Sequence, residues 1–110
     1  MSVSFDLSRV NAIAILKPIP EKKERAREVL ANLVAKVEQN EPDTLLYQFW
    51  YIEDTGEFLF IESYKTQETL TAHMSTPYFK EVEEISVQEG ILERPMDVKL
   101  LNNRVAGFTR

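Results

Sequence analysis

The chain has 110 residues, 44% of them hydrophobic and 28% charged, and thirteen basic against eighteen acidic side chains leave a net charge of −5. That length holds one domain, and the composition is that of a folded globular chain rather than a disordered one. The acidic surplus has the wrong sign for gripping a nucleic-acid backbone, and the lack of cysteine excludes disulfides, thiol nucleophiles and thiolate metal sites.

The start, Met1 to Asp6, lacks the basic and apolar regions of a secretory leader. No apolar run approaches the roughly 20 residues of a membrane span, so the expectation is a cytoplasmic chain with no membrane partner. Residues 1–10 read as a lead-in in which Phe5 and Leu7 could dock, 11–103 as the folded domain, and 104–110 as a tail where only Val105 and Phe108 look able to pack. Three isolated glycines, Gly56, Gly90 and Gly107, leave no glycine-rich phosphate loop, and the single histidine, His73, excludes a site needing two imidazoles from one chain.

Asn11 to Lys17 is a short apolar run before Pro18, which predicts a buried strand. Pro20 suits a first helical turn, and Ala26, Val29, Leu30, Leu33, Val34 and Val37 then recur at helical spacing, predicting one amphipathic helix over 21–40. Thr44 to Ile52 and Phe58 to Tyr64 are rich in β-formers around the turn residues 53–57, the pattern of a hairpin. Neither strand alternates cleanly between apolar and polar, so both faces of the sheet need cover. Thr66 and Thr76-Pro77 read as caps of two further helices, the first holding Leu70, His73 and Met74 and the second turning Phe79, Val82 and Ile85 inward before Gly90. A last strand is predicted over about 96–101. The order is β-α-β-β-α-β, an α+β ferredoxin-like pattern with a four-stranded antiparallel sheet.

Three segments carry a likeness that spans about Ala12 to Leu101: Glu41-Pro42-Asp43-Thr44-Leu45-Leu46-Tyr47, Phe60-Ile61-Glu62-Ser63-Tyr64, and the more specific Ala72-His73-Met74-Ser75-Thr76-Pro77-Tyr78-Phe79-Lys80. With them the chain resembles the antibiotic biosynthesis monooxygenase (ABM) superfamily of dimeric α+β barrels. The resemblance implies two chains packed sheet against sheet with helices outside, which makes the second apolar sheet face a homodimer interface. It implies a pocket between sheet and helices in each subunit, and a cofactor-independent monooxygenase acting with dioxygen on a small aromatic substrate such as a quinol, phenol or anthrone. Two alternatives are an isomerase or degrader of a small, phosphorylated signalling metabolite and a non-catalytic dimer that binds a small molecule. Many relatives carry a second histidine where Tyr78 stands. The positions matching the axial histidine and first-strand asparagine of haem-degrading members hold Glu83 and Ala14, which argues against haem degradation.

Within that frame His73 is the candidate proton-transfer residue, since an imidazole titrates near neutrality. Tyr64 is the candidate hydrogen-bond partner of a substrate oxygen, and Trp50 and Phe79 are expected to stack on the substrate ring, with Phe60 and Tyr78 among the aromatic residues around it. Alternation puts Phe58, Phe60, Glu62 and Tyr64 on one face of their strand, without saying which face that is. Glu62, a carboxylate in an apolar strand, is expected to pair with a cation across the dimer or to accept a proton. Arg94 is a candidate for meeting an anionic substrate. Glu81, Glu83 and Glu84 are separated from His73 by Pro77, so no metal site is expected, and no cofactor is required.

Overall fold

The computed structural model describes residues 9–110, and Phe5 and Leu7 lie outside the described residues. Strand β1 (Val10–Leu16) stops short of Lys17 because Pro18 has no N–H to carry a ladder further. A 3-10 turn at Pro20–Lys22 precedes helix α1 (Lys23–Asn40), so the predicted helix starts in two stages, the tighter turn absorbing Pro20. The hairpin follows as β2 (Thr44–Ile52) and β3 (Glu57–Tyr64), with Gly56 at φ 71 closing its turn through a bond from its N–H to the Ile52 carbonyl at 2.9 Å. Helices α2 (Gln67–Met74) and α3 (Pro77–Gln88) and the short strand β4 (Asp97–Leu100) complete the order.

The four strands pair antiparallel in the order β2-β3-β1-β4, the ferredoxin-like arrangement. Register fixes the two faces. Ala12, Glu62 and Tyr47 stand in one row across the sheet, and Ala14, Phe60 and Phe49 in the next. These residues face the helices together with Leu16, Phe58 and Tyr64, and Ala14, Leu16, Phe58 and Phe60 join Ala26, Val29, Leu30, Leu33 and Val37 of α1 in the core. The ladder pairs Thr44 with Tyr64 but Leu46 with Ser63, so Leu45 is an extra residue at a β-bulge. Ile13, Ile15, Leu59, Ile61, Gln48 and Trp50 alternate onto the opposite face, which no element among the described residues covers.

Both predicted caps form. Thr66 Oγ1 accepts from the Thr69 N–H, and Thr76 Oγ1 accepts from the Phe79 N–H while its own hydroxyl donates to the His73 carbonyl at 2.8 Å. Thr76 therefore ties the end of α2 to the start of α3 and holds His73 and Phe79 at a fixed separation. At the far end of α3, Gly90 takes φ 58, and Arg25 of α1 grips Glu89 with two bonds of 2.8 Å. That exposed pair lowers the Glu89 carboxyl below its usual range, chiefly through the hydrogen bonds. Backbone bonds from Ile19 N–H to the Ile91 carbonyl (2.9 Å) and from Glu93 N–H to the Lys17 carbonyl (2.8 Å) then lead the chain into β4. Val105 and Phe108 do not pack against the other described residues: they are 97% and 75% exposed.

Candidate active site

A cavity of about 210 Å³ opens between the sheet and helices α1 and α3. Its depth has a simple origin in sequence, because β1 turns only a methyl group toward the helices at Ala14, where a larger side chain would fill the space. Phe60, Phe79, Leu33 and Val82 form apolar walls, and the polar groups facing inward include His73, Glu62 and Tyr47. No lysine or arginine among the described residues lines it.

His73, on α2, is 2% exposed and boxed by the rings of Tyr47 (5.1 Å between centroids), Phe79 (5.1 Å) and Tyr64 (5.4 Å). Its Nδ1 lies 2.9 Å and 3.1 Å from the two carboxylate oxygens of Glu41, while no group among the described residues meets Nε2. Glu41 sits in the turn after α1, where its N–H bonds the Val37 carbonyl at 2.9 Å and its carboxylate also accepts from the Thr44 hydroxyl (2.8 Å) and the Tyr78 hydroxyl. Beyond it lies a second, polar cleft that reaches His73 from outside, lined by Glu41, Thr66, Thr69, Thr76 and Tyr78 among others.

Burial pushes the Glu62 carboxyl above its ordinary range, with the charge of Glu41 adding to it, against the opposing pull of the Tyr64 hydroxyl, which donates to Glu62 Oε1 at 2.5 Å, and of His73. Tyr64 and Tyr47 are raised well above the usual phenol range, first by burial and then by the charge of Glu62. Tyr78 is pushed up to about 12 by burial and by its bond to Glu41. The three phenols are therefore hydrogen-bond donors at neutral pH, not bases.

A carboxyl raised on folding makes the folded chain hold a proton that the unfolded chain has released, so stability falls as pH rises above the ordinary value of 4.5. Glu62→Gln keeps an oxygen for Tyr64 and removes that loss. In urea titrations the variant is expected to exceed the parent in stability at pH 7, with the gap closing toward pH 4; a gap that widens on acidification would contradict a raised Glu62.

Of the residues predicted for the site, His73, Glu62, Phe60 and Phe79 meet at the cavity. Tyr64 sits behind it with its hydroxyl given to Glu62, so it does not reach a substrate oxygen. Glu62 lies on the helix face of the sheet, away from the uncovered face across which a cation of a second chain would reach, and no lysine or arginine among the described residues pairs with it. Tyr78 lines the polar cleft instead of the apolar cavity. Trp50 stands on the opposite sheet face, 54% exposed, and cannot stack on a ring held by Phe79. Arg94 is bonded to Glu57 at 2.7 Å, away from the cavity. Tyr47 and Glu41 are the residues that the sequence reading missed as site members. Tyr47 is legible in hindsight as the partner of Glu62 once the hairpin register is known, and Glu41 carries no such signal, being 32 positions from His73.

The sequence profile of the antibiotic biosynthesis monooxygenase family matches residues 9–85. The chain belongs to that family. A proposed ABM protein of Caulobacter crescentus is similar in structure, with 26% identity and a TM-score of 0.78 over 88% of this chain and 91% of that one. Rv0793 from Mycobacterium tuberculosis is also similar, at 25% identity and a TM-score of 0.77 over 94% and 98% of the two chains. The uncharacterized protein sll1783 of Synechocystis is 31% identical over 86 residues, 77% of this chain; the chain spans only 56% of that relative's length. The cavity of this ABM chain thus lies on a fold shared with the Caulobacter and Mycobacterium structures over 91% and 98% of their chains.

Proposed function

We propose that this ABM protein is a cofactor-independent monooxygenase of a small, neutral hydroxyarene, a quinol or anthrone-like compound, and works as a homodimer. The observation that carries the reading is the pairing, in one apolar cavity, of an imidazole nitrogen with no partner among the described residues and a phenol, Tyr47, that stays protonated. An electron-rich arene needs little else. His73 takes the hydroxyl proton, the arenolate reduces dioxygen to form a ring-carbon hydroperoxide, and loss of water leaves a carbonyl. One oxygen atom goes to the product and one to water, with two hydrogens lost from the substrate. The protein supplies deprotonation, orientation between Phe60 and Phe79, and exclusion of water from the intermediate.

Size and charge narrow the substrate. A cavity of about 150 Å³ takes up benzene, so one of about 210 Å³ suits one or two fused rings, with a third projecting through the mouth. A phosphorylated metabolite finds no cation here: Lys17 bonds the Thr55 carbonyl, Arg94 bonds Glu57, and neither Lys65 nor Lys80 lines the cavity. Oxygen uptake by metal- and flavin-free protein over benzo- and naphthohydroquinones and anthrone is the test. Uptake matched by carbonyl product is expected; conversion that requires added iron or flavin, or that proceeds without oxygen, would overturn the reading.

The uncovered sheet face supports the dimer: there Ile13, Ile15, Leu59 and Ile61 adjoin one another, with Trp50 beside Leu59. An apolar patch of that kind marks an association surface. Ile61→Lys places a charge at its centre and is expected to turn a dimer into monomers in analytical ultracentrifugation. A wild-type chain that sediments as a monomer would remove the homodimer.

A further inference from the structure

We propose that Glu41 is the positioning residue of the site: it keeps the proton of the neutral His73 ring on Nδ1 and so presents Nε2 to the cavity bare. The role in turnover rests on the oxygenase reading; the geometry stands apart from it. Three donors converge on the Glu41 carboxylate, the Thr44 hydroxyl at 2.8 Å, His73 Nδ1 at 2.9 and 3.1 Å, and the Tyr78 hydroxyl. A carboxylate only accepts, so the nitrogen facing it must carry the hydrogen, and in a neutral imidazole the other nitrogen then carries none.

Neither partner is free to turn away. The Glu41 backbone is bonded on both sides, its N–H to Val37 at 2.9 Å and its carbonyl to the Thr44 N–H at 3.1 Å, while the His73 carbonyl is held by Thr76. The titratable groups that face the ring are Glu41 from the α1–β2 turn, Tyr47 from β2, and Glu62 and Tyr64 from β3, with Tyr78 of α3 acting through Glu41. Among the described residues only Glu41 touches Nδ1. When a substrate O–H bond breaks, an Nε2–H bond forms and the oxygen keeps the electron pair. The imidazolium is then balanced by Glu41 beside it, and the proton returns to the hydroperoxide oxygen that leaves as water.

Because His73 is the only histidine, the two ring nitrogens of ¹⁵N-labelled protein can be read without ambiguity. At mildly alkaline pH the parent is expected to show a pyrrole-type Nδ1 and a pyridine-type Nε2, and 1-naphthol is expected to move the Nε2 resonance only. Glu41→Gln is expected to lose that preference, whereas Tyr78→Phe and Thr44→Val, which leave the Glu41–His73 contact in place, retain it. A parent ring protonated on Nε2, or an unchanged preference in Glu41→Gln, overturns the assignment, and the first of these needs no variant to fold. Turnover separates the two readings. Glu41→Gln is expected to lower kcat by about tenfold or more with KM within about twofold; equal kcat in an active pair sinks the positioning role alone. A parent with the Nδ1–H ring that oxidises no quinol sinks the oxygenase reading and leaves the tautomer assignment upheld.

Discussion

His73→Ala is expected to lower kcat for quinol oxidation by about 10²–10⁴, or about 3–5 kcal/mol in the barrier, and to lower the unfolding midpoint as well, because a buried ring and a partner of Glu41 are lost together. The size follows from the lack of a substitute. Burial raises the Glu62 carboxyl, and Tyr47, Tyr64 and Tyr78 are all raised above the ordinary phenol range, so none of the three phenols can stand in for the imidazole as a base at neutral pH. The truncation leaves a ring-sized space beside Glu41, so added imidazole is expected to restore part of the rate. Undiminished oxygen uptake in the variant would remove His73 from the chemistry.

Phe58→Ala is expected to destabilise the fold by about 3–5 kcal/mol, against a total of about 5–15 for a domain of ordinary stability. Phe58 is 1% exposed, packs against Phe49 and Tyr51 at centroid separations of 4.9 and 5.2 Å, and faces α1 without lining the cavity. The loss combines the transfer of the ring back to water with the void it leaves. Urea denaturation measures it, and a change below about 1 kcal/mol would show that this aromatic layer relaxes around the void and is not rigidly packed. Because Phe58 stands clear of His73 and Glu41, the ring-nitrogen signature of His73 is expected to survive wherever the variant remains folded.

The elements were legible because the chain punctuates them with residues whose physical roles are local. Pro18, Pro20, Thr66, Thr76-Pro77 and Gly90 each mark a boundary through a missing donor, a capping hydroxyl or a positive φ, and the helical spacing from Ala26 to Val37 needs no partner to be recognised. The site was legible only where a residue type is distinctive by itself, as with His73, or where strand alternation carried Glu62 along with Phe60. What failed was the assignment of faces. β2 carries apolar side chains on both sides, so nothing in Thr44 to Ile52 says whether Trp50 or Tyr47 turns to the helices, and only its register with β3 decides. Tyr64 was misjudged because the need of a buried Glu62 for a donor, met by that hydroxyl, appears only when both are placed. Glu41 reaches His73 through tertiary folding alone, and no pattern of spacing encodes it.

The bulge at Leu45 bears on how this strand tolerates change. In an uninterrupted strand, odd and even positions point to opposite sides, yet Thr44, which holds Glu41, and Tyr47, which lines the cavity, share one side although three apart. Leu45 supplies the step that resets the parity. Deleting it would close the bulge and leave Thr44 and Tyr47 two apart, still on one side, whereas deleting Gln48 with Thr44 and Phe49 kept in place would turn Tyr47 outward and bring Leu46 beneath the helices. A codon lost at the bulge therefore preserves the sidedness of the strand, while one lost three positions further on takes Tyr47 out of the cavity wall.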